Sequence, residues 1–253
     1  MAASQKPSGT SIILNHEESS ACWSCGSMRA AHFCNACGKV QPPLPADYFS
    51  FFGLPRKLNL DPAVLEREFY QLSRKLHPDL FARSSAEEQG WSLQKSSQLN
   101  DAYRTLKDPI TRTEYLLKLE GVQLEEQSKT ATDQARASGQ VKKQVVPPEL
   151  LEEVFELNMQ LEEARMNKKA GDVDQDLARQ LAQTRQHLEE KFDALFQELQ
   201  GYWAEWDTLI TRAESGQDTS GERRKVRDTM VGLLNRRSYI RNLVRDVNEV
   251  LES

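Results

Sequence analysis

Through most of the chain, apolar residues recur at steps of three and four, which is the spacing of an amphipathic helix. One such stretch is DPAVLEREFYQLSRKL, which begins at Asp61. Its apolar positions are Leu65, Phe69, Leu72 and Leu76. Asp61 and Pro62 suit the N-cap and the first helical position. Because Pro78 disfavours helical geometry in the residue before it, we predict that this helix ends near Leu76.

Two further helices are predicted after this stretch. Ser85 and Glu88 have the spacing of a capping box at the start of the first. Its core positions are Leu99, Ala102, Tyr103 and Leu106. Asp108-Pro109 ends it, and the last short helix, ITRTEYLLKLEG, ends at Gly121, a residue suited to the position after a helix C-cap. The tripeptide His77-Pro78-Asp79 therefore lies at the turn of an antiparallel helical hairpin. It is either a simple turn or a surface that carries function.

Three long apolar stripes follow Pro147-Pro148. The first is Leu150, Val154, Leu157, Leu161 and Ala164; the second is Leu177, Leu181, Leu188, Phe192, Leu195, Leu199 and Trp206; the third is Val226, Met230, Leu233, Ile240, Val244, Val247 and Leu251. Such stripes can pack only on one another, so we predict an antiparallel three-helix bundle over residues 147–253. Alternating β-branched residues are scarce, so the predicted fold class is all-α, with any sheet confined to the first forty residues. Residues 123–146 are polar and lack aromatic residues, which predicts a flexible linker.

Composition narrows the classes of protein further. Of the 253 residues, 38% are hydrophobic and 28% are charged, and no apolar run approaches the roughly 18–20 residues that span a bilayer. The net charge of −5 argues against nucleic-acid binding, so we expect neither a membrane nor a nucleic acid as a partner. Residues 1–20 contain one Lys, no Arg and two Glu, which favours a disordered arm over a mitochondrial targeting segment.

All four cysteines lie in CWSCGSMRAAHFCNACG, which contains two copies of C-x-x-C-G. They are Cys22, Cys25, Cys34 and Cys37. Two such pairs supply the ligands of a tetrahedral thiolate site, and the glycine after each pair lets the chain fold back. Four thiolates favour Zn²⁺ over iron, and we expect a structural zinc that holds together a ribbon (residues 21–42) too short for its own core. His32 is the alternative ligand, and a thioredoxin-type redox pair is the alternative role, although its βαβ context is absent.

Basic residues accompany the HPD turn. They are Arg67, Arg74 and Lys75. A basic helix face is either an ordinary solvated side or a surface that speeds encounter with an acidic partner. Residues 47–122, with YFSFFGLP before the turn and NDAY after it, resemble a J domain, the module that stimulates ATP hydrolysis by DnaK-type chaperones. The resemblance implies that His77, Pro78 and Asp79 form the contact loop and that Arg67, Arg74 and Lys75 meet the acidic surface of the chaperone.

Some apolar residues fall beside the core stripes of the bundle. Leu151 and Phe155 lie one step to the side of the first stripe, and Tyr239 flanks the third. Residues in such places are either ordinary boundary residues or parts of a partner-binding patch. The pattern by itself leaves both interpretations open.

Together, the four-Cys ribbon, the J domain and the three-helix bundle resemble one family, the HscB-type co-chaperones of iron–sulfur cluster biogenesis. The similarity covers about residues 22–253. It is strongest in CWSCG, FCNACG, DYFSFFGLP, KLHPDLF, LNDAYRTLKDPITRTEYLLKLEGV and LLEEVFELNMQL. It implies a J domain that engages a DnaK-type chaperone and a bundle that binds an IscU-type scaffold carrying a nascent 2Fe–2S cluster.

Position by position, the resemblance also implies which residues contact the scaffold. They are Leu151, Phe155, Glu156, Met159, Glu163 and Tyr239. Two positions depart from the family pattern, because Glu152 stands where an apolar residue is usual and Met159 stands where an acid is usual.

The resulting prediction is an adaptor and not an enzyme, since the sequence shows no nucleophile–base pair, Gly-rich phosphate loop or open metal site. The rival predictions are a general J-type co-chaperone for unfolded polypeptides and a C-x-x-C thiol oxidoreductase. The resemblance favours the mitochondrial matrix, while the leader without Arg leaves the cytosol open. The oligomeric state stays open, with a monomer among the alternatives.

Overall fold

A computed structural model of the protein describes residues 21–28, 32–122, 146–171 and 174–252. The predicted arm (1–20) and all of the predicted linker except its last residue lie outside these ranges. The helices are α1 (Tyr48–Phe51), α2 (Pro62–Leu76), α3 (Ala86–Lys107), α4 (Pro109–Leu119), α5 (Leu151–Lys169), α6 (Gln175–Glu214) and α7 (Ser220–Glu252), with 3₁₀ turns at Pro78–Phe81 and Pro148–Leu150. Within the described ranges, extended pairing is limited to two single bridges near the N-terminus, so the predicted all-α class is confirmed.

The helix boundaries follow from local capping chemistry. At the start of α3, Ser85 Oγ accepts a hydrogen bond from Glu88 N (3.3 Å) and Glu88 Oε2 accepts one from Ser85 N (3.4 Å), which is the predicted capping box. Asp108 Oδ1 caps α4 by accepting from Thr111 N at 2.7 Å. Gly121 follows α4 at a φ of +79°, a left-handed conformation that glycine adopts without steric cost.

The described chain forms two compact units. The first comprises the residues up to Leu54 together with Pro62–Lys107, and the second comprises Pro55–Asp61 together with the residues from Asp108 onwards. The division cuts across the predicted range 47–122, because α4 and the segment before α2 belong with the C-terminal helices.

The core of the first unit joins the cysteine-rich ribbon to the helical hairpin. Val40, from the end of the ribbon, is buried with Phe51 of α1, Leu76 of α2 and Leu99 of α3. Aromatic side chains surround this cluster, and Phe69 stacks on Tyr103 with ring centroids 4.1 Å apart. The ribbon is therefore part of the hairpin's hydrophobic core.

The core of the second unit is the predicted three-helix bundle. Its fully buried members are Leu150, Val154, Leu157, Leu161, Leu177, Leu181, Leu188, Tyr239, Ile240, Leu243 and Val247. Leu150 comes from the 3₁₀ turn before α5, and the others come from one face each of α5, α6 and α7. All of them except Tyr239 and Leu243 belong to the predicted stripes. Burial of these apolar side chains is the main source of the bundle's stability.

Helix α5 has 19 residues and α6 has 40, so α5 does not cover the whole length of α6. At the uncovered end of α6, the segment before α2 packs against the bundle. Trp206 of α6 is buried and donates its indole N–H to Arg56 O at 3.0 Å. Asp207 accepts hydrogen bonds from the backbone N–H groups of Leu58 (2.6 Å) and Asn59 (2.8 Å). The prediction that the three stripes pack only on one another is therefore wrong for this end of α6.

Candidate functional site

The four cysteines lie in two backbone knuckles of the same design. In the first, Gly26 N donates to Cys22 O at 2.9 Å, and in the second, Gly38 N donates to Cys34 O at the same distance. Both glycines have a φ of +71°, which lets each knuckle reverse direction. As a result, the four Sγ atoms all lie within 4.8 Å of one another.

The arrangement fits a tetrahedral metal site. The Sγ atoms of Cys22 and Cys37 are 3.7 Å apart, and those of Cys25 and Cys34 are 3.6 Å apart. A ZnS₄ tetrahedron with bonds of about 2.3 Å has edges of about 3.8 Å, whereas a disulfide holds its sulfurs at about 2.05 Å. The donor set therefore suits a thiophilic divalent cation, which all four thiols can bind at once.

The surrounding groups shift the pKa values of two of these thiols in opposite directions. At Cys22, burial raises the pKa, but backbone N–H groups and the Gln41 amide outweigh it and lower the pKa to about 6. At Cys37, the Lys39 backbone N–H lowers the pKa, but burial and the neighbouring thiols outweigh it and raise the pKa to about 11. Negative charges on four neighbouring thiolates repel one another, which opposes ionisation of all four thiols. A bound cation offsets this repulsion, and a thiol that coordinates it is deprotonated.

His32, the alternative ligand, is engaged elsewhere. Its Nε2 donates a hydrogen bond to Phe51 O at 2.9 Å, and its ring packs on the Phe51 ring with centroids 4.5 Å apart. Burial lowers the pKa of His32, and the positive charge of Lys95 lowers it further. The residue anchors the ribbon to α1.

The ribbon also contacts α3. Lys39 Nζ lies 2.9 Å from Glu88 Oε1, and the Glu88 side chain is only 5% exposed. Trp23 packs edge-on against Trp91, with ring centroids 5.4 Å apart. These contacts tie the ribbon to the first two turns of α3, next to the HPD turn.

The HPD turn begins where α2 ends, at Leu76, as predicted. The hydroxyls of Ser92 and Ser96, both on α3, donate to Leu76 O at 2.7 and 2.8 Å, so the carbonyl at the end of α2 is fully engaged. His77 Nδ1 accepts a hydrogen bond from Asp79 N at 3.3 Å. The Asp79 side chain is 88% exposed, so its carboxylate is presented to solvent on a well-anchored turn.

The predicted basic residues Arg67, Arg74 and Lys75 are all exposed on α2. Tyr70, which is 54% exposed on the same helix, was not among the predicted residues. Its position one turn from Arg67 and from Arg74 is the signal that places it on this face.

On α5, the predicted surface residues are presented to solvent. Leu151, Phe155 and Met159 are 54%, 68% and 60% exposed, and Glu156 and Glu163 are also exposed. Met166, which sequence analysis missed, is 65% exposed and lies seven residues after Met159, two turns along the same side. We call Leu151, Phe155, Met159 and Met166 the exposed α5 stripe.

Tyr239 does not lie at the surface. Its side chain is 5% exposed and belongs to the core of the second unit, together with Ile240 and Leu243. Burial raises the pKa of its hydroxyl. The prediction that Tyr239 flanks the core is therefore wrong, because α7 turns this side chain inward; its proposed part in partner binding remains a prediction.

Comparison with known proteins gives the family. Residues 146–212 match the model of the HSCB C-terminal oligomerisation domain. An Arabidopsis thaliana protein named iron–sulfur cluster co-chaperone protein HscB homolog is 32% identical over 183 residues, which cover 72% of this chain and 67% of that protein. The chain belongs to the HscB family. It is thus a member of a family of co-chaperones of iron–sulfur cluster biogenesis.

Other HscB proteins are similar to this chain as well. Mouse HscB is 37% identical over 150 residues, which cover 57% of this chain and 58% of the mouse protein. The fold is similar to the crystal structure of human HscB, with a TM-score of 0.54 and 23% sequence identity. The superposition covers 90% of this chain and 97% of the human one, and it supports the helical fold described above. In the described part of this HscB-family chain, no helix is both long and apolar enough to cross a membrane.

Proposed function

We propose that this HscB-family protein is an adaptor that binds an IscU-type scaffold and delivers it to a DnaK-type chaperone, whose ATPase it stimulates. The observation that carries the proposal is the presence of two exposed surfaces of different chemistry on one chain. One is the HPD turn in the first unit, and the other is the exposed α5 stripe in the second.

The HPD turn suits recognition by a charged partner. Asp79 offers a solvent-exposed carboxylate on an anchored turn, and a carboxylate of this kind is read by a bidentate Arg. Arg67, Arg74 and Lys75 on α2 add positive charge that steers an acidic chaperone surface towards the turn.

The exposed α5 stripe suits a partner with an apolar patch. Its large side chains are solvated in this chain, although apolar residues of this size release substantial free energy when a partner buries them. Glu156 and Glu163 lie beside the stripe, so the matching scaffold surface is expected to combine apolar residues with basic ones.

The metal in this account is Zn²⁺, held by the four cysteines. Bound zinc supplies folding free energy and no chemistry, since four protein thiolates leave no coordination position for a substrate. A redox pair needs an exposed thiol of low pKa that is free to react. Thiols that are bound to zinc are not free, so zinc binding by all four cysteines excludes the thiol oxidoreductase alternative.

The adaptor works by raising the local concentration of scaffold at the chaperone, because both partners are held by one chain. The J domain then triggers ATP hydrolysis, which switches the chaperone to its tight-binding state. Catalysis belongs to the chaperone. We place the process in the mitochondrial matrix, and subcellular fractionation with a cytosolic marker as control tests that placement.

The scaffold surface is tested by the double substitution Leu151→Ala with Phe155→Ala. If these residues are hot spots, binding weakens by about 2–4 kcal/mol in a calorimetric titration with the folded scaffold. Arg179→Ala, which removes an exposed side chain at the start of α6, serves as the control and is expected to bind as the wild type does. Unchanged binding by the double variant would mean that Leu151 and Phe155 are ordinary boundary residues of the bundle. Equal binding of denatured polypeptides would instead favour a general J-type co-chaperone.

A further inference from the structure

Between the metal site and the HPD turn there is a direct chain of contacts, and it starts at Lys39. This residue is two positions after Cys37, and its carbonyl accepts a hydrogen bond from Cys34 N at 2.9 Å. Gln41 Nε2 donates both to Lys39 O at 2.8 Å and to Cys22 Sγ at 3.3 Å. The position of Lys39 is therefore fixed by both cysteine knuckles.

Lys39 contacts the capping box at the start of α3. Its ammonium group pairs with Glu88 Oε1 at 2.9 Å, while Glu88 Oε2 accepts from Ser85 N and from Ser85 Oγ, both at 3.4 Å. One buried carboxylate thus joins the ribbon to the capping box. Ser85 is close to the 3₁₀ turn that contains Pro78 and Asp79, so this contact holds the chain where it returns from the HPD turn.

The next ribbon residue holds the other side of the turn. Val40 is 1% exposed and belongs to the same buried cluster as Leu76, the last residue of α2 and the one before His77. Of these adjacent ribbon residues, Lys39 pairs with the capping box that follows the HPD turn, and Val40 lies in the buried cluster of the residue that precedes it.

We propose that the metal-bound ribbon is a positioning element for the HPD turn, acting through Lys39 and Val40. A segment of this length lacks a core of its own, so without metal it has no fixed conformation from which to hold Lys39. The ribbon therefore sets the fraction of molecules whose HPD turn is ready for the chaperone. The inference rests on the proposed stimulation of the chaperone and names a further residue that supports it.

The first test uses Lys39→Met, which removes the charge and keeps all four cysteines. The half-saturating concentration for chaperone ATPase stimulation is expected to rise by about three- to ten-fold with an unchanged maximum, because apparent affinity falls with the fraction of competent conformers. Lys39→Arg is expected to restore the wild-type value. Zinc content and scaffold affinity stay at the wild-type level in both variants.

The second test removes zinc from the full-length protein with a chelator and follows backbone hydrogen exchange. Faster exchange over residues 85–92, with unchanged exchange in the bundle core of α6 and α7, supports the proposal. Equal exchange with and without zinc, or equal half-saturation for Lys39→Met and wild type, overturns it. If the wild-type protein does not stimulate the chaperone at all, the proposed function fails, which is a different result.

Discussion

The HPD turn and the exposed α5 stripe are both candidate binding surfaces, but they are built in opposite ways. The turn is small and polar, and Ser92 and Ser96 anchor the end of the helix that precedes it. The stripe is a row of apolar side chains on a long helix whose opposite face forms the bundle core. A surface of the first kind depends on the placement of a few atoms, whereas one of the second kind depends on apolar area.

The comparison predicts different responses to mutation. One isosteric change that removes charge should disable the turn, while the stripe should tolerate single truncations and lose affinity only as buried area is lost. Positioning contacts matter for the turn, and they include the ribbon.

Asp79→Asn removes the exposed charge and leaves the shape of the side chain. We expect stimulation of the chaperone ATPase to fall to the unstimulated rate, because an amide pairs poorly with a cationic partner. Scaffold affinity, measured by calorimetry, should stay unchanged. The matched control is Asp101→Asn, which makes the same change at an exposed aspartate outside the turn, on α3. Loss of both activities in Asp79→Asn would contradict two separate surfaces.

Leu157→Ala and Phe155→Ala separate the two faces of α5. Leu157 is 2% exposed and lies in the bundle core, so its truncation should lower the free energy of unfolding by about 2–5 kcal/mol. Phe155→Ala should change it by no more than about 0.5 kcal/mol, because the side chain is solvated. Chemical denaturation measures both values. Equal destabilisation would mean that Phe155 is a core residue and not a binding residue.

Ser92→Ala removes one of the two hydroxyls that donate to Leu76 O. With Ser96 still in place, we expect a loss of about 0.5–1.5 kcal/mol in unfolding free energy. The half-saturating concentration for ATPase stimulation should rise with it, and scaffold binding should not change. A variant as stable and as active as the wild type would show that this anchor is dispensable.

The ion pair at Glu88 predicts a dependence on pH that the bundle core lacks. The hydrogen bond from Lys39 lowers the pKa of Glu88 below its ordinary value of 4.5. A lowered carboxyl pKa stabilises the fold above the ordinary value, and this contribution is lost as the pH falls through the folded-state pKa. The stability difference between wild type and Glu88→Gln should therefore shrink below about pH 4.5.

The matched comparison for this pH series is Leu157→Ala, whose deficit involves no titrating group. Its difference from the wild type should stay constant over the same range. If the Glu88→Gln difference is also constant, the ion pair does not contribute to the stability of the first unit.

Much of the fold was predictable because its causes are local. The capping box at Ser85 and Glu88, the end of α2 at Leu76 and the glycine after α4 are set by neighbouring residues. The bundle core follows from helical periodicity. The four-Cys cluster was predictable as well, because its ligands come in two short, repeated knuckles.

What could not be predicted depends on contacts between distant residues. The backbone N–H groups of Leu58 and Asn59 donate hydrogen bonds to the Asp207 carboxylate. Nothing in the sequence around Asp207 indicates that it has these partners. The pair of Lys39 and Glu88 is equally invisible in the sequence. Tyr239 was misplaced because a residue at the edge of a stripe turns inward or outward according to what packs beside it.

In the proposed function, one chain holds chaperone and scaffold at the same time. The most direct measurement mixes Asp79→Asn protein with Leu151→Ala/Phe155→Ala protein and quantifies the scaffold captured by the chaperone in the presence of ATP. Each variant keeps one of the two surfaces intact, so we expect the mixture to capture no more scaffold than the two variants do separately. Recovery of the wild-type level by the mixture would contradict it.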